Sequence, residues 1–361
     1  MEDTTTGLTA TRVRIATKTM TNTQVTQELP PAAVLMKLMA GKCITQALAS
    51  AAHLRVADHL KDGPRSAEDI APGVGAHPHS LYRLLRALAT VGVLVEHTDR
   101  RFSLTAVGQF LRTDVPGSLA AMAELFGEPL QWAAWSELTD AVRTNSCAFQ
   151  KVHGMSVYEA VASRPALATM FNAAMTGMSG QLIRSIVAAY DYSQFGTIAD
   201  IGGGQGLVLT AILEAHPAVR GVLFDQPSVV AGARPRIVEA GLAGRCELLA
   251  GDFFETAPPG CDAYLIKNVL HDWGDDECVR ILRQCAARMA PGAKVLVLEQ
   301  VLPPPGVPSF SKIADLEMLV ATNGRERTDA EFAALFAQAE LRLERCVPTL
   351  GPLQIIEAVH A

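Results

Sequence analysis

The sequence contains no C-x-x-C pair. Its seven cysteines, at positions 43, 147, 246, 261, 278, 285 and 346, show no metal-ligand spacing. Zinc ribbons and fingers are excluded, and the pattern is that of reduced, buried thiols in a reducing compartment. No unbroken run reaches the ~18 apolar residues of a membrane helix, and no apolar stretch follows Met1 as a secretory leader would. A basic excess is also missing. With 31 Lys+Arg against 37 Asp+Glu, the formal net charge of −6 argues against a broad non-specific nucleic-acid surface. Aromatics make up only 6% and charged residues 19%, whereas 49% of residues are apolar, enough for a substantial globular core. The expectation is a cytosolic protein with no membrane segment, long enough for two domains at roughly 100–200 residues each.

Residues 1–28 carry ten threonines and no hydrophobic period, and read as a disordered tail. A helix-rich region, 29–115, follows. Val34, Leu35, Leu38 and Met39, then Ile44, Leu48, Ala51 and Leu54, recur at helical spacing. That apolar surface exceeds what one helix face needs, which favours dimerisation. Three helices (55–60, one capped by Ser66, and 79–91) and two short strands (94–96 and 101–104) give a winged-helix outline. As a DNA reader its third helix offers only Arg83 and Arg86. Residues 55–101 hold seven basic against six acidic residues, too balanced for an operator-binding surface. A packing or dimerisation role is expected instead. Residues 116–195 form a further helical region, rich in aromatics, in which Phe171, Met175 and Met178 recur at i, i+4 and i+7. Such a stripe is ordinary core or a ligand wall.

The last region, 196–361, is organised around T-I-A-D-I-G-G-G-Q-G at 197–206, a strand, a glycine turn and the start of a helix. Backbone there can approach a ligand without a Cβ in the way. The dinucleotide fingerprint G-x-G-x-x-G is not met, because Leu207 stands where its third glycine belongs. A second acid, Asp225, ends the next apolar run, where it could hold a ribose hydroxyl pair. An acid before the glycines and another after the following strand suit a nucleoside ligand that lacks a pyrophosphate. Strands at 197–201, 221–225, 246–250, 262–267 and 294–300 alternate with helices at 206–215, 227–240, 276–289 and 329–337. This is a doubly wound parallel sheet of the Rossmann-like α/β class. Leu341–Pro348 and Leu353–Val359 lie too close together for a helical crossover and must form an antiparallel hairpin on the sheet edge. Asp200, Asp225, Asp252, Lys267 and Glu299 all fall at carboxyl ends of strands, where ligands of such sheets bind. After the fourth strand, K-N-V-L-H-D-W offers His271 as a general base, with Glu299 or Glu326 to fix its tautomer. The alternative is that His271 caps the start of a helix whose first turn holds Asp275 and Asp276.

D-I-G-G-G-Q-G, F-D-Q-P, G-D-F-F, K-N-V-L-H-D-W, L-E-Q-V and N-G-R-E-R-T occur in this order. Together they resemble the S-adenosylmethionine-dependent small-molecule O-methyltransferases: the plant caffeic-acid type, the acetylserotonin methyltransferases and their bacterial polyketide-tailoring relatives. The resemblance covers about residues 30–361. It implies a methyltransferase sheet preceded by a helical, winged-helix-like domain that builds an intertwined homodimer. Carried over by motif, it implies a cofactor site of Ser179, Asp200, Gly202, Gly203, Gly204, Asp225, Gly251, Asp252, Phe253 and Lys267. Within it Asp225 would take the ribose hydroxyls, and Asp252 and Phe253 the adenine. His271 would be the base, flanked by Glu299 and Glu326, while Asp272, Phe171, Met175, Met318 and Asn323 would hold the acceptor. No metal is implied, since the acids lie on separate strands without a His/Cys cluster. The acceptor would be an aromatic small molecule, phenolic at the reacting oxygen, in secondary-metabolite biosynthesis. Readings from other classes are a nicotinamide-dependent oxidoreductase, which wants glycine at 207, and a non-catalytic, ligand-binding winged-helix regulator. Neither accounts for Lys267, His271 and Glu299 together.

Overall fold

The computed structural model describes residues 30–361; the tail expected over 1–28 lies outside the described residues. The first described element is a helix, Pro31–Met39, begun by a proline at its first position and with no buried residue. The stretch Pro31–His53 is long and apolar enough, by length and average hydropathy, to cross a membrane. The stretch is not an unbroken apolar run: Lys37 and Lys42 interrupt it while leaving the average high.

From Lys42 onward the chain is one compact unit. Its first cluster of buried side chains, including Ile70, Leu81, Leu85, Leu88 and Phe102, joins helices Ala67–Val74 and Pro78–Thr90 to the hairpin β1 (Leu94–Glu96) and β2 (Phe102–Leu104). Ser66 caps the first of these helices in a reciprocal box with Asp69, which satisfies two otherwise unpaired amides. Arg86 and Arg100 place their guanidinium carbons 4.9 and 4.3 Å from the Tyr82 ring centroid. Short helices between Ala120 and Ser163 surround a second cluster, which takes Leu167 and Ala174 from the 25-residue helix Pro165–Ala189.

The remaining strands are β3 (Thr197–Ile201), β4 (Arg220–Asp225), β5 (Cys246–Ala250), β6 (Ala263–Lys267), β7 (Lys294–Gln300), β8 (Leu341–Pro348) and β9 (Leu353–His360). They form one sheet in the order β5-β4-β3-β6-β7-β9-β8, parallel except that β9 runs antiparallel to both β7 and β8. Alternate residues feed opposite faces. Ala199, Ile201, Phe224, Tyr264, Ile266 and Val297 pack toward helices Asp275–Ala286 and Asp329–Gln338. Ile198, Leu223, Leu265, Leu296 and Leu298 pack toward Leu207–Ala215 and Pro227–Glu239. Burial on both faces is why these strands read as nearly unbroken apolar runs. The strand order reverses between β3 and β6, so the crevice beyond their carboxyl ends is the natural ligand position. One helix, Ser311–Ala321, occupies a stretch to which sequence reading assigned no element.

Candidate active site

β3 delivers Asp200 and then the glycine turn to that crevice. Gly202, Gly204 and Gly206 have φ of +64°, +59° and +70°, a region that side-chain-bearing residues rarely enter. A Cβ on Gly202 would stand 2.9 Å from Val269 Cγ2, so the β3 and β6 turns touch through a glycine. Around Gly204 the same position is open space. The Gly204 N–H donates to Asp225 Oδ2 at 2.8 Å, and the Gln226 N–H donates to Oδ1 at 2.7 Å. Asp225, at the end of β4, thereby shapes the turn while keeping lone pairs for a ligand. Gly251 packs on the Phe224 ring. Beyond it the Asp252 carboxylate is exposed and accepts the Phe254 N–H at 2.8 Å, and Phe253 lies beside Gly202.

Burial raises Asp200 to about 7, opposed by the charge of Lys267 and reinforced by Asp225. The same burial lowers Lys267, which the charges of Asp200 and Glu299 hold up. These groups therefore form one electrostatic unit at the ends of β3, β4, β6 and β7.

β6 ends in an irregular turn. Asn268 has φ +51°, which asparagine tolerates better than most residues, and its amide donates to the Leu298 carbonyl at 3.2 Å. His271 sits in a single 3₁₀ turn, Leu270–Asp272. It does not cap the next helix. Gly274 does, and Asp275, Asp276 and Glu277 fill that helix's first turn. The His271 ring Nδ1 lies 3.2 Å from Glu326 Oε1. Its Nε2 faces the other way, 3.8 Å from Asp272 Oδ1. Glu299 has a different task from the one expected. Its Oε1 accepts the backbone N–H groups of Val269, Leu270 and His271 at 3.2, 2.7 and 3.1 Å, so it braces the turn and acts on the ring through its charge, not through a hydrogen bond.

Burial alone would lower the imidazole's affinity for a proton. The charge of Asp272, the hydrogen bond to Glu326 and the charges of Glu299 and Glu326 outweigh it and push His271 up to about 9. Of the six buried side-chain polar atoms without a partner among the described residues, three belong here: Asn268 Oδ1, Glu299 Oε2 and Glu326 Oε2. Unused acceptors concentrated in one turn call for donors from a ligand or from water.

Two residues that sequence reading passed over hold this turn in place. Arg327 is fully buried, and its guanidinium donates to the carbonyls of Leu270 (2.9 Å) and Trp273 (2.8 Å) and to Asp275 Oδ1 (2.8 Å). Gly324 packs so closely on the turn that a Cβ would stand 2.0 Å from the His271 carbonyl oxygen. Both lie inside N-G-R-E-R-T, where only Asn323 and Glu326 carried an assigned role. Thr328 then caps helix Asp329–Gln338 in a box with Glu331, which fixes the far end of that segment.

Phe171 and Met175 are half-buried and pack against the helical cluster that includes Leu125, Phe149 and Val320. Phe171 also meets the Tyr158 ring edge-on at 6.3 Å. Ser179 is buried on the same helix. Met318 is half-buried on Ser311–Ala321, one residue after Glu317, whose Oε2 accepts the Trp135 indole N–H at 2.9 Å. Asn323 lies just beyond that helix and is exposed. No group of three or more His, Cys, Asp or Glu side chains among the described residues is arranged to hold a metal ion.

Residues 36–114 match the O-methyltransferase dimerisation domain, and residues 135–342 the O-methyltransferase domain. The chain is 39% identical over 339 residues to a phenazine O-methyltransferase of Lysobacter antibioticus, covering 94% of this chain and 99% of that one. It is 41% identical over 327 residues to a mitomycin biosynthesis 6-O-methyltransferase of Streptomyces lavendulae, covering 90% and 93%. The crystal structure of human N-acetylserotonin methyltransferase in complex with S-adenosylmethionine superposes with a TM-score of 0.86 at 27% identity, covering 93% of this chain and 99% of that one. The residues at the crevice fit that cofactor: an open glycine cradle, an acid at the end of the next strand and an apolar ring beside them. The chain belongs to the S-adenosylmethionine-dependent O-methyltransferase family.

Proposed function

We propose that the chain methylates a phenolic hydroxyl of a flat aromatic metabolite, with His271 as the general base acting through Nε2. The observation that carries this is the paired ring: Nδ1 on Glu326 at 3.2 Å, Nε2 turned to the opposite side. When bound, S-adenosylmethionine supplies a methyl group activated by its sulfonium. Gly202, Gly203 and Gly204 let the backbone approach the amino-acid end, Asp225 accepts from the ribose, and Phe253 flanks the adenine. Asp200, Lys267 and Glu299 hold the strand ends. Phe171, Met175 and Met318 form apolar walls, with Asp272 and Asn323 as polar contacts to the acceptor.

The proton step then has a physical basis. A phenol near pKa ~10 and an ordinary histidine near ~6.5 differ by roughly 3.5 units, or about 5 kcal/mol for full transfer. With His271 at about 9, the difference falls to about 1 unit, ~1.4 kcal/mol. The three carboxylates around the ring therefore do most of the work of making phenol deprotonation accessible.

The helical regions 29–115 and 116–195 are assigned to dimerisation and to the acceptor side, and 196–361 to the cofactor. The match of 36–114 to the dimerisation domain supports a homodimer and accounts for the apolar stretch Pro31–His53 as protein-contact surface instead of membrane anchor. The stacking of Arg86 and Arg100 on Tyr82 and the acidic net charge favour no nucleic-acid partner. A cytoplasmic location fits seven free cysteines.

The test is His271→Ala, assayed by product formation and by calorimetric titration with S-adenosylmethionine. Normal cofactor binding with turnover reduced about 10²–10⁴-fold is expected. Near-wild-type turnover would remove His271 from the role.

A further inference from the structure

Tyr158 lies on the short helix Val157–Ser163, 114 residues from the turn it touches. Its hydroxyl donates to Asp272 Oδ2 at 2.5 Å. The other oxygen of the same carboxylate, Oδ1, stands 3.8 Å from His271 Nε2, too far for a hydrogen bond. That gap needs a cause. A carboxylate beside a protonatable ring gains a charge-assisted bond by closing to ~2.7–2.9 Å, among the stronger contacts available. We propose that Tyr158 is a positioning residue that tethers Asp272 and so keeps the outer nitrogen of His271 open to the acceptor.

Without the tether, Asp272 closes on Nε2 while Glu326 keeps Nδ1. The ring is then an imidazolium clamped between two carboxylates, with no lone pair to offer. With the tether, Asp272 is near enough to favour the charged ring by its field yet does not occupy the nitrogen. The anchor is rigid. The Tyr158 ring stacks on Trp273 at 5.9 Å and 15°, and Phe171 meets it edge-on at 81°. The Trp273 carbonyl in turn accepts from Arg327 and Cys278. Burial raises the Tyr158 hydroxyl well above the ordinary tyrosine range, with the Asp272 and Asp225 charges adding to it, so it remains a donor. The other charged groups facing the His271 turn are Glu299, Glu326, Arg327, Lys267 and, through its bond to the Glu326 amide, Asp315. Tyr158→Phe leaves every one of them in place.

The inference rests on His271 being the base, but its first test needs no acceptor. The His271 ring nitrogens are titrated by NMR in protein labelled with ¹⁵N-histidine, with His271→Gln to identify the signals. Tyr158→Phe is expected to raise the His271 midpoint by about one pH unit, a tenfold change in proton affinity. In an Asp272→Asn background, where the neutral amide cannot trap an imidazolium, the same substitution is expected to leave the midpoint unmoved. In turnover, Tyr158→Phe is expected to lower kcat ~10-fold at fixed pH with cofactor affinity unchanged, and to cost nothing further in Asp272→Asn. A midpoint unaffected by Tyr158→Phe, or an equal loss in both backgrounds, would overturn the tether. Absence of methyl transfer by the wild-type protein would instead reject the proposed reaction and leave the titration result standing.

Discussion

Replacing Glu326 by Gln gives a prediction in which the sign of the effect depends on pH. The amide oxygen of Gln can still accept from His271 Nδ1, so the ring keeps its orientation and tautomer and loses only the charge of its partner. The Asp272 charge, the Glu326 hydrogen bond and the charges of Glu299 and Glu326 raise His271 to about 9 against the burial that would lower it. For each pH unit of that elevation lost when the ionic partner becomes an amide, the base is weakened by ~1.4 kcal/mol, and the magnitudes that follow are for a loss of about one unit. With proton transfer about half complete in the transition state, the plateau of kcat falls roughly 3-fold. The acid limb, which reports the neutral ring, moves down by about one pH unit, so the active base is ~10-fold more abundant below the limb. The two effects oppose each other there, and the variant is expected to be about 3-fold faster than wild type at acidic pH and 3-fold slower on the plateau. The assay is S-adenosylhomocysteine release with saturating cofactor and a phenolic acceptor from pH 5.5 to about 10, the range that brackets both groups. Two profiles that cross support the account. A variant profile lying below wild type by a constant factor at every pH would show that Glu326 orients the ring and does not tune it.

Three further outcomes follow from the geometry. Gly324→Ala would press a Cβ against backbone atoms of His271, Asp272 and Trp273 at 2.0, 2.4 and 2.5 Å; overpacking of this kind costs about 1–3 kcal/mol, so a melting temperature lower by several degrees and a collapse of kcat are expected, and an unchanged kcat would show that the turn is compliant. Arg327→Met leaves the Leu270 and Trp273 carbonyls without their guanidinium donor, at about 1–3 kcal/mol per buried group; kcat should fall more than cofactor affinity, and the reverse pattern would place the damage at the glycine cradle. Asp225→Ala should weaken S-adenosylmethionine binding by roughly 10–100-fold in calorimetry, as expected for losing a charged hydrogen-bonding partner, and unaltered affinity would remove it from the ribose.

The central strands β3, β4, β6 and β7 were legible in the sequence because they are buried on both faces and each apolar run had a visible charged stop, at Asp200, Asp225, Lys267 or Glu299. Helix Ser311–Ala321 was not legible. Ile313 and Leu316 are exposed on it, and its buried residues are few, Ser311, Val320 and Ala321. It therefore lacks the one-sided apolar pattern on which helix reading depends. In the site, His271 and Glu326 were visible as a base and a partner acid, but their pairing was not. Glu299 and Glu326 were equivalent on paper, and only the path of β7 decides that Glu299 meets three amides while Glu326 meets the ring. Tyr158 and Arg327 act on backbone and side chains 114 and 57 residues away, distances at which no local pattern survives. Gly324 could have been found: a glycine directly before R-E-R-T, with no turn demanding a positive φ, signals a close backbone approach.

The central claim is methyl transfer to an aromatic hydroxyl by this chain. Its most direct test is incubation of the purified protein with S-adenosylmethionine carrying an isotopically labelled methyl group and a panel of hydroxylated aromatics, followed by mass spectrometry of the products. The account predicts a labelled aryl methyl ether and S-adenosylhomocysteine in equal amounts, with no labelled ether from His271→Ala. Labelled methyl on nitrogen or carbon, or cofactor bound tightly with no label transferred to any acceptor in the panel, would contradict it.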